Sequence, residues 1–300
     1  MDRKHFKISA IICTYNRDQF IGDALESLRL QTLPSDQFEV IIVNNNSTDN
    51  TEKISLNFIK NHYKIDCKYV VETNQGLSFA RNRGIKESKY EIITYIDDDA
   101  FAKPDFLEQI HIYFNQHPKT AGVGGKVIPR YEIAEPAWMN KWLYGFVTKV
   151  DHGEKIKKFS GNQYPAGCNM TYRKDLLKKV GGFNNKLKWR ADDKYIYFQI
   201  RKLTDEVIYL PQACVEHQID ADRTADENFI KLSRKFGSEE SIRVRDLGGL
   251  SFFKKIIEFL IKLGGSIILA IPFILKGQFL KGKYIVIYRF LALIGLLTGK

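Results

Sequence analysis

Several features that identify common classes of protein are missing from this sequence of 300 residues. The four cysteines form no CxxC pair, which argues against a zinc ribbon and a disulfide scaffold and favours a reducing compartment. No GxGxxG segment follows the first apolar run, so a dinucleotide-binding site has no support. Residues 1–5 lead into a strand-like run instead of the apolar core of a signal peptide, and we expect no export. The hydrophobic content of 44% is that of a globular chain.

The first hundred residues alternate between short apolar runs and segments with helical spacing. The apolar runs are residues 7–13, 37–43, 66–71 and 90–96. Strands and helices in this alternation predict βαβ units and a mostly parallel sheet. The length allows one large domain, or a catalytic domain with an appendage.

Three consecutive carboxylates, Asp97, Asp98 and Asp99, close the fourth apolar run. Two unit charges about 4 Å apart cost on the order of 4 kcal/mol near a protein surface. A divalent cation held by oxygen ligands would offset that repulsion. The alternative is a solvated acidic turn, because Asp is a common turn residue.

Polar residues also follow the first two predicted strands, in segments 14–17 and 44–49. Taken singly, each segment is ordinary loop chemistry. Because the carboxyl ends of parallel strands meet at one edge of a sheet, their recurrence predicts a pocket beside the three carboxylates. Amide, hydroxyl and guanidinium groups next to a bound cation suit a nucleoside diphosphate.

The second half of the chain offers three further candidates, each with a structural alternative. Asp192 and Asp193 follow residues 188–190 and precede an aromatic helix, where they can cap the helix or supply a general base. His217 follows a predicted strand and is either a structural histidine or a metal ligand. Trp138 and Trp142 can form a platform for a sugar or pack a core, and packing is the favoured alternative.

The net charge of +11 is concentrated near the end of the sequence. From Leu250 to Lys300 eight basic residues stand against Glu258 alone, which gives +7 and leaves +4 for residues 1–249. Residues 250–262 have the spacing of an amphipathic helix, and two uncharged runs follow at 263–275 and 290–299.

Neither uncharged run reaches the roughly 20 residues of a spanning helix. We therefore predict that residues 250–300 form an interfacial or re-entrant anchor on an anionic membrane surface. The alternative is a helical cap on the catalytic domain or an oligomer interface. Because the excess charge lies among apolar residues, we expect no nucleic-acid partner.

The ordered set of motifs resembles the family 2 glycosyltransferases of bacterial type. The segments are ISAIICTYNR (8–17), VIIVNNNSTDNT (40–51), NQGLSFARNRG (74–84), YIDDDA (95–100), GCNM (167–170) and GGF (181–183), together with Asp192-Asp193 and His217. The resemblance covers residues 7 to about 245. It implies the α/β fold called GT-A, a Rossmann-like, mostly parallel sheet flanked by helices.

The same resemblance divides the chain into a GT-A catalytic domain, residues 1–245, and a basic, apolar helical tail, residues 246–300. Within the domain, residues 1–100 would form the nucleotide-binding half and residues 101–245 the acceptor-binding half. Within the second half, the loops near Trp138 and the region from Ile219 to Arg245 are where acceptor choice is expected to lie.

The resemblance implies an inverting transfer of a sugar from a nucleotide diphosphate sugar, a UDP-sugar above all, to an acceptor hydroxyl. It implies Mn²⁺ or Mg²⁺ as cofactor, a glycan or lipid-linked acceptor, and cell-surface polysaccharide or glycolipid synthesis at the cytoplasmic face of the cell membrane. A processive synthase is disfavoured because the chain has no QxxRW segment. The alternatives are a nucleotide-sugar-binding protein without transfer activity and a basic membrane- or nucleic-acid-binding protein.

By position in the motifs, the resemblance assigns residues to three roles. Those expected to bind the nucleotide sugar are Thr14, Tyr15, Arg17, Asn44, Asn74, Arg81, Asp97, Asp98 and Asn169. Those expected to bind the metal are Asp97, Asp99 and His217. The general base would be Asp193, with Asp192 as the alternative because it replaces the usual Glu. Asn44 replaces the usual Asp, which weakens the implication of uridine.

Overall fold

The structure is a computed structural model that describes residues 6–62, 64–187 and 191–299. The expectations for residues 1–5 and 188–190 lie outside these described residues. The chain forms two compact units, Met1–Ile128 with Lys149–Gln218, and Pro129–Thr148 with Ile219–Lys300.

The main sheet of the first unit has eight strands. In spatial order they are β3 (Cys67–Val71), β2 (Phe38–Asn44), β1 (Ile8–Thr14), β4 (Ile92–Asp97), β9 (Met170–Arg173), β6 (Gly122–Gly124), β10 (Val207–Tyr209) and β8 (Lys157–Lys158). The neighbours from β3 to β4 pair in parallel, as the alternating pattern predicts. Strand β9 is antiparallel to both β4 and β6, so the other half of the sheet is mixed.

A smaller sheet has three strands, in the order β5 (Ala100–Ala102), β11 (Val215–Ile219) and β7 (Val127–Tyr131). Strand β5 begins directly after the three carboxylates and pairs antiparallel with β11, so that His217 lies opposite Ala100. His217 therefore lies within a strand, whereas the sequence predicted it after one.

Strands β1 and β2 are buried along their whole length, which requires cover on both faces of the sheet. The helices of this unit are α1 (Asp18–Arg29), α2 (Thr51–Asn61), α3 (Leu77–Glu87), α4 (Phe106–Gln116), α5 (Lys174–Lys179) and α6 (Asp192–Arg201). Helix α1 buries Ile21, Ala24, Leu25 and Leu28, the apolar positions that recur at helical spacing. A carboxylate oxygen of Asp49 accepts a hydrogen bond at 3.0 Å from the main-chain N–H of Thr51, the first residue of α2.

The second unit contains α7 (Ala221–Thr224), α8 (Asp226–Arg245), α9 (Gly249–Leu275) and α10 (Phe279–Thr298). Trp138 is buried in its core, stacked on Tyr284 at a centroid distance of 5.1 Å and edge-on to Phe229. The packing alternative for Trp138 is thus confirmed, whereas Trp142 is partly exposed.

Helix α9 differs from the expectation for the tail. Residues 250–262 and the run 263–275 form one continuous helix of 27 residues, although Gly264, Gly265 and Pro272 read as interruptions. Pro272 lies in the last turn, where the helix is ending, and both glycines adopt helical geometry. By length and composition α9 could cross a membrane, because residues 250–262 extend the uncharged run 263–275, which alone is shorter than a spanning helix.

Candidate active site

The parallel half of the sheet brings three strand ends together. Thr14 lies beside Asn44 in the β1–β2 register, and Cys13 lies beside Asp97 in the β1–β4 register. The polar segments that follow β1 and β2 and the carboxylates that follow β4 therefore share one edge, as predicted from the sequence.

The carboxylates after β4 are crowded and poorly solvated. Asp98 and Asp99 are buried, and the Arg17 guanidinium lies 3.9 Å from Asp98 Oδ1 and 3.6 Å from Asp99 Oδ2. Burial raises the pKa of Asp97, and burial together with the Asp99 carboxylate raises the pKa of Asp98 well above its usual range. These groups lie in an environment that would favour a bound cation.

His217 is buried beside this acidic cluster. Its Nε2 lies 3.2 Å from Asp99 Oδ1. One potential ligand atom from each of His217, Asp97 and Cys168 lies within 4.8 Å of the others. Among the residues that the structure describes, none hydrogen-bonds His217 Nδ1, which is buried. The structure thus brings together all three residues that the sequence assigned to a metal.

Arg81 on α3 lies at the centre of the site and is almost completely buried. Its guanidinium donates to Asp192 on α6, and to Asp97 Oδ1 at 3.2 Å. Burial alone would lower the pKa of this guanidinium, but the Asp192 and Asp97 carboxylates outweigh it and raise the pKa. Gly167 is needed here because a Cβ at that position would lie 2.7 Å from Arg81 Nη2.

Asp193 lies in the first turn of α6 and is more exposed than its neighbour Asp192. Its carboxylate accepts hydrogen bonds from Gly167 N at 3.1 Å and from Lys194 N at 2.6 Å. Burial and the adjacent Asp192 carboxylate raise the pKa of Asp193 to about 6. Ala191, the residue before the helix, has a left-handed backbone (φ 61°), which turns the chain into α6.

Two of the predicted nucleotide-binding residues, Asn44 and Asn74, are hydrogen-bonded within the protein. Asn44 Nδ2 donates to the Tyr69 hydroxyl at 2.7 Å, while Asn44 Oδ1 accepts from Ser47 N at 2.9 Å. Asn74 bonds to its neighbour Glu72 at 2.8 Å. Tyr15, next to Thr14 on the strand edge, has an exposed side chain.

Asn169 makes its hydrogen bonds to the main chain. Its Nδ2 donates to Lys126 O at 3.1 Å and to Ala213 O at 2.8 Å, and its Oδ1 accepts from Gly125 N at 3.2 Å. The side chain is buried and joins three loops behind the site. The contact with donor sugar or acceptor that the resemblance implies remains a prediction.

Sequence reasoning missed two contributors. Asn45 Nδ2 donates to Asn74 O at 2.7 Å and Asn45 Oδ1 accepts from Gly76 N at 2.7 Å, so this side chain holds the start of α3 against the end of β2. Cys168 reaches the potential metal ligands. The signal for Cys168 was its place in the GCNM segment, whereas three successive asparagines gave no way to single out Asn45.

Comparison with known proteins gives consistent results. The sequence model of Glycosyl transferase family 2 matches residues 9–181. Glucosyl-dolichyl phosphate glucuronosyltransferase of Haloferax volcanii is 27% identical over 257 residues, which cover 80% of this chain and 78% of that protein. Poly-beta-1,6-N-acetyl-D-glucosamine synthase of Staphylococcus epidermidis is 28% identical over 215 residues, and the chain spans only 48% of its length.

Two solved structures show the same fold. A mannosyltransferase from Pyrobaculum calidifontis, in complex with GDP-Man and Mn²⁺, matches with a TM-score of 0.66 at 15% identity, covering 100% of this chain and 89% of that chain. Residues 1–349 of S. aureus TarS in complex with UDP match with a TM-score of 0.56 at 20% identity, covering 78% and 65%.

The mixed sheet flanked by helices, with carboxylates at the strand edge, defines a glycosyltransferase of the GT-A fold. Within that class, the chain belongs to glycosyl transferase family 2. The predictions of fold class, enzyme class and family are confirmed.

Proposed function

We propose that the protein transfers a sugar from a nucleotide diphosphate sugar to an acceptor hydroxyl with inversion, and that Asp193 is the general base. One observation carries the assignment of the site. The buried guanidinium of Arg81 bonds both Asp97 of the acidic cluster and Asp192, the neighbour of Asp193. The single side chain of Arg81 therefore links the acidic cluster to the start of α6, which carries the proposed base Asp193.

The two aspartates of α6 differ in their suitability as a base. Asp192 is buried and its charge is compensated by Arg81. Asp193 is more exposed, and it accepts hydrogen bonds from the main-chain N–H groups of Gly167 and Lys194. Its pKa of about 6 lies near neutral pH, where a general base is most effective. Asp192 then acts as the residue that positions Asp193.

The donor atoms beside β4 fit Mn²⁺ or Mg²⁺. Carboxylates and an imidazole suit these ions, and His217 Nδ1 is a buried nitrogen without a hydrogen-bond partner among the described residues. Asp97, Asp99 and His217 would hold the ion, and the Cys168 thiol lies within 4.8 Å of ligand atoms of Asp97 and His217. When bound, the cation supplies positive charge that stabilises the departing diphosphate.

The transfer then proceeds by a direct displacement. The acceptor oxygen forms a bond to the anomeric carbon as its proton passes to the Asp193 carboxylate. The bond from the anomeric carbon to the diphosphate oxygen breaks, and its electron pair leaves with the nucleoside diphosphate. Attack from the face opposite the leaving group inverts the anomeric centre. We propose that Arg17, which lies beside Asp98 and Asp99, binds the diphosphate.

We propose a UDP-sugar as donor and a glycan or lipid-linked acceptor at the inner face of the cell membrane. The neighbouring structures hold UDP or GDP-Man, which supports a nucleotide sugar without fixing the base. The names of the relatives, a glucosyl-dolichyl phosphate glucuronosyltransferase and a poly-beta-1,6-N-acetyl-D-glucosamine synthase, support cell-surface glycan or glycolipid synthesis.

The donor class is tested with a panel of UDP-, GDP-, ADP- and dTDP-sugars in Mn²⁺, with release of nucleoside diphosphate as the readout. We expect release from one donor family above all, and its loss in Asp97→Ala. The exposed Asp175, also in the first turn of a helix, offers the control Asp175→Asn, which should retain release. Tight donor binding with no release from any donor would favour a binding protein without transfer activity.

A further inference from the structure

Helix α9 carries a continuous apolar stripe on its solvent side. Large side chains spaced by three, four, seven or eight residues are between 43% and 82% exposed, namely Leu250, Phe253, Ile257, Leu260, Ile268 and Leu275. At 1.5 Å per residue the helix is about 40 Å long. Monomeric soluble proteins rarely expose a contiguous apolar surface of this extent, which marks an interaction site.

The opposite side of α9 is packed against protein. Ser266 and Ala270 are buried, and α10 approaches so closely that a Cβ at Gly282 would lie 3.1 Å from Ala270 O. Near the start of the helix, Lys255 Nζ lies 3.3 Å from a carboxylate oxygen of Glu240 on α8. Helix α9 therefore has one protein-facing side and one free apolar side.

The packing of α10 opposes a membrane-crossing orientation. Helix α10 lies against α8, so closely that a Cβ at Gly237 would lie 1.8 Å from Ala292 O and one at Gly295 would lie 1.9 Å from Arg234 O. Helix α8 carries nine charged residues among its 20. If α9 and α10 crossed a bilayer together, those charges would enter the hydrocarbon, where charged side chains are costly.

The charges beside the stripe are mainly positive. Lys254 and Lys262 lie on its flank, where Lys262 pairs with Glu258, the one acidic residue of α9. Lys276 follows its end, and Lys283 is exposed in the first turns of α10. Clusters of lysine beside an apolar helix face are attracted to anionic lipid headgroups. The charge is therefore complementary to a membrane surface and not to a second copy of the same positive face.

We propose that α9 lies in the plane of an anionic membrane surface, with its apolar stripe at the boundary between headgroups and acyl chains and α8 on the aqueous side. This placement extends the proposed function by assigning the membrane contact to one face of one helix. It explains why α9, although it has the length of a spanning segment, packs against protein on one side and exposes an apolar stripe on the other.

The binding is tested with the full chain and sedimented vesicles of phosphatidylcholine, with and without phosphatidylglycerol. We expect binding only with the anionic lipid, weakened by salt. The combined variant Phe253→Glu, Leu260→Glu and Ile268→Glu should reduce partitioning by roughly 100-fold or more. The control carries the same three charges at exposed apolar positions away from the stripe, Leu30→Glu, Ile133→Glu and Leu203→Glu.

The orientation is tested by adding one tryptophan at position 250, 260 or 268 and quenching its fluorescence with lipids brominated at different depths. The in-plane helix predicts equal, shallow quenching at all three positions. Deepest quenching at position 260 would show a spanning helix and overturn the proposal. The proposal would also be overturned if the stripe variant bound vesicles as well as the control variant does. The same holds if the wild type were a dimer that the stripe variant converted to a monomer without any change in vesicle binding. Release of nucleoside diphosphate from the donor is measured separately, without vesicles. A failure of the membrane proposal can therefore be told apart from a failure of the proposed sugar transfer.

Discussion

The ion pair between Arg81 and Asp192 gives the sharpest prediction about stability. Both side chains are about 2% exposed, so replacing Arg81 by Met leaves the Asp192 carboxylate buried without its partner. Breaking a buried pair in this way costs about 3–5 kcal/mol in the free energy of unfolding. For a domain of this size each kcal/mol lowers Tm by roughly 2–4 °C, so Tm should fall by about 6–20 °C.

The assay is urea and thermal unfolding of Arg81→Met, Asp192→Asn and the double variant. Because the double variant no longer buries an unpaired charge on Asp192, its loss should be smaller than the sum of the two single losses. The control is Arg83→Met on the same helix, whose partner Glu87 lies 2.9 Å away in a half-exposed pair expected to contribute no more than about 1 kcal/mol. Equal losses for Arg81→Met and Arg83→Met, or strict additivity in the cycle, would refute the reasoning.

Three further predictions concern the site. The acid limb of the pH profile of kcat/KM should have an apparent pKa near 6. The reason is that Asp193, whose pKa is raised to about 6, takes up a proton as the pH falls and activity is then lost. An acid limb with a pKa near about 4, the value of an ordinary aspartate, would contradict this. Gly167→Ala should cost about 1–3 kcal/mol of stability, because its Cβ would meet Arg81 at 2.7 Å, whereas Gly145→Ala, with open space around it, should be neutral by the same unfolding assay. His217→Ala should weaken Mn²⁺ binding in calorimetry by roughly tenfold or more, and unchanged affinity would remove His217 from the proposed ligands.

Much of the nucleotide-binding half follows from local sequence signals. Strands β1, β2 and β4 are mostly apolar and end in polar residues, so their parallel pairing and their common edge could be predicted. The direction of β9 could not, because a strand of four residues carries no signal for parallel or antiparallel pairing. The sequence likewise gave no warning that His217 would lie within β11.

The ion pairs and side-chain contacts within the site depend on tertiary packing. The contact of Arg81 with the base or the diphosphate, which the resemblance implies, stays a prediction. The motif did not predict that the guanidinium would be buried between Asp97 and Asp192, against the rings of Tyr95 and Phe183. The direction of the Arg81 side chain is set by residues far apart in the chain, so no local sequence pattern predicts it.

The tail shows a conflict between local propensity and context. Glycine and proline reduce helix propensity, so Gly264, Gly265 and Pro272 read as breaks in the sequence. Between the two glycines and Pro272, Ala270 packs closely against Gly282 of α10, and Pro272 falls where little helix remains to be interrupted. Tertiary contacts therefore overrode the weaker local preference.

The most direct test of the account compares donor binding and turnover in Asp193→Asn. The amide keeps the size of the carboxylate but cannot take up the acceptor proton, so we predict that affinity for the nucleotide sugar and Mn²⁺ stays within about twofold while turnover falls by roughly 10²- to 10⁴-fold. The first-turn variant Asp175→Asn should match the wild type in both quantities. Turnover close to wild type in Asp193→Asn would contradict the assignment of the base and the mechanism built on it.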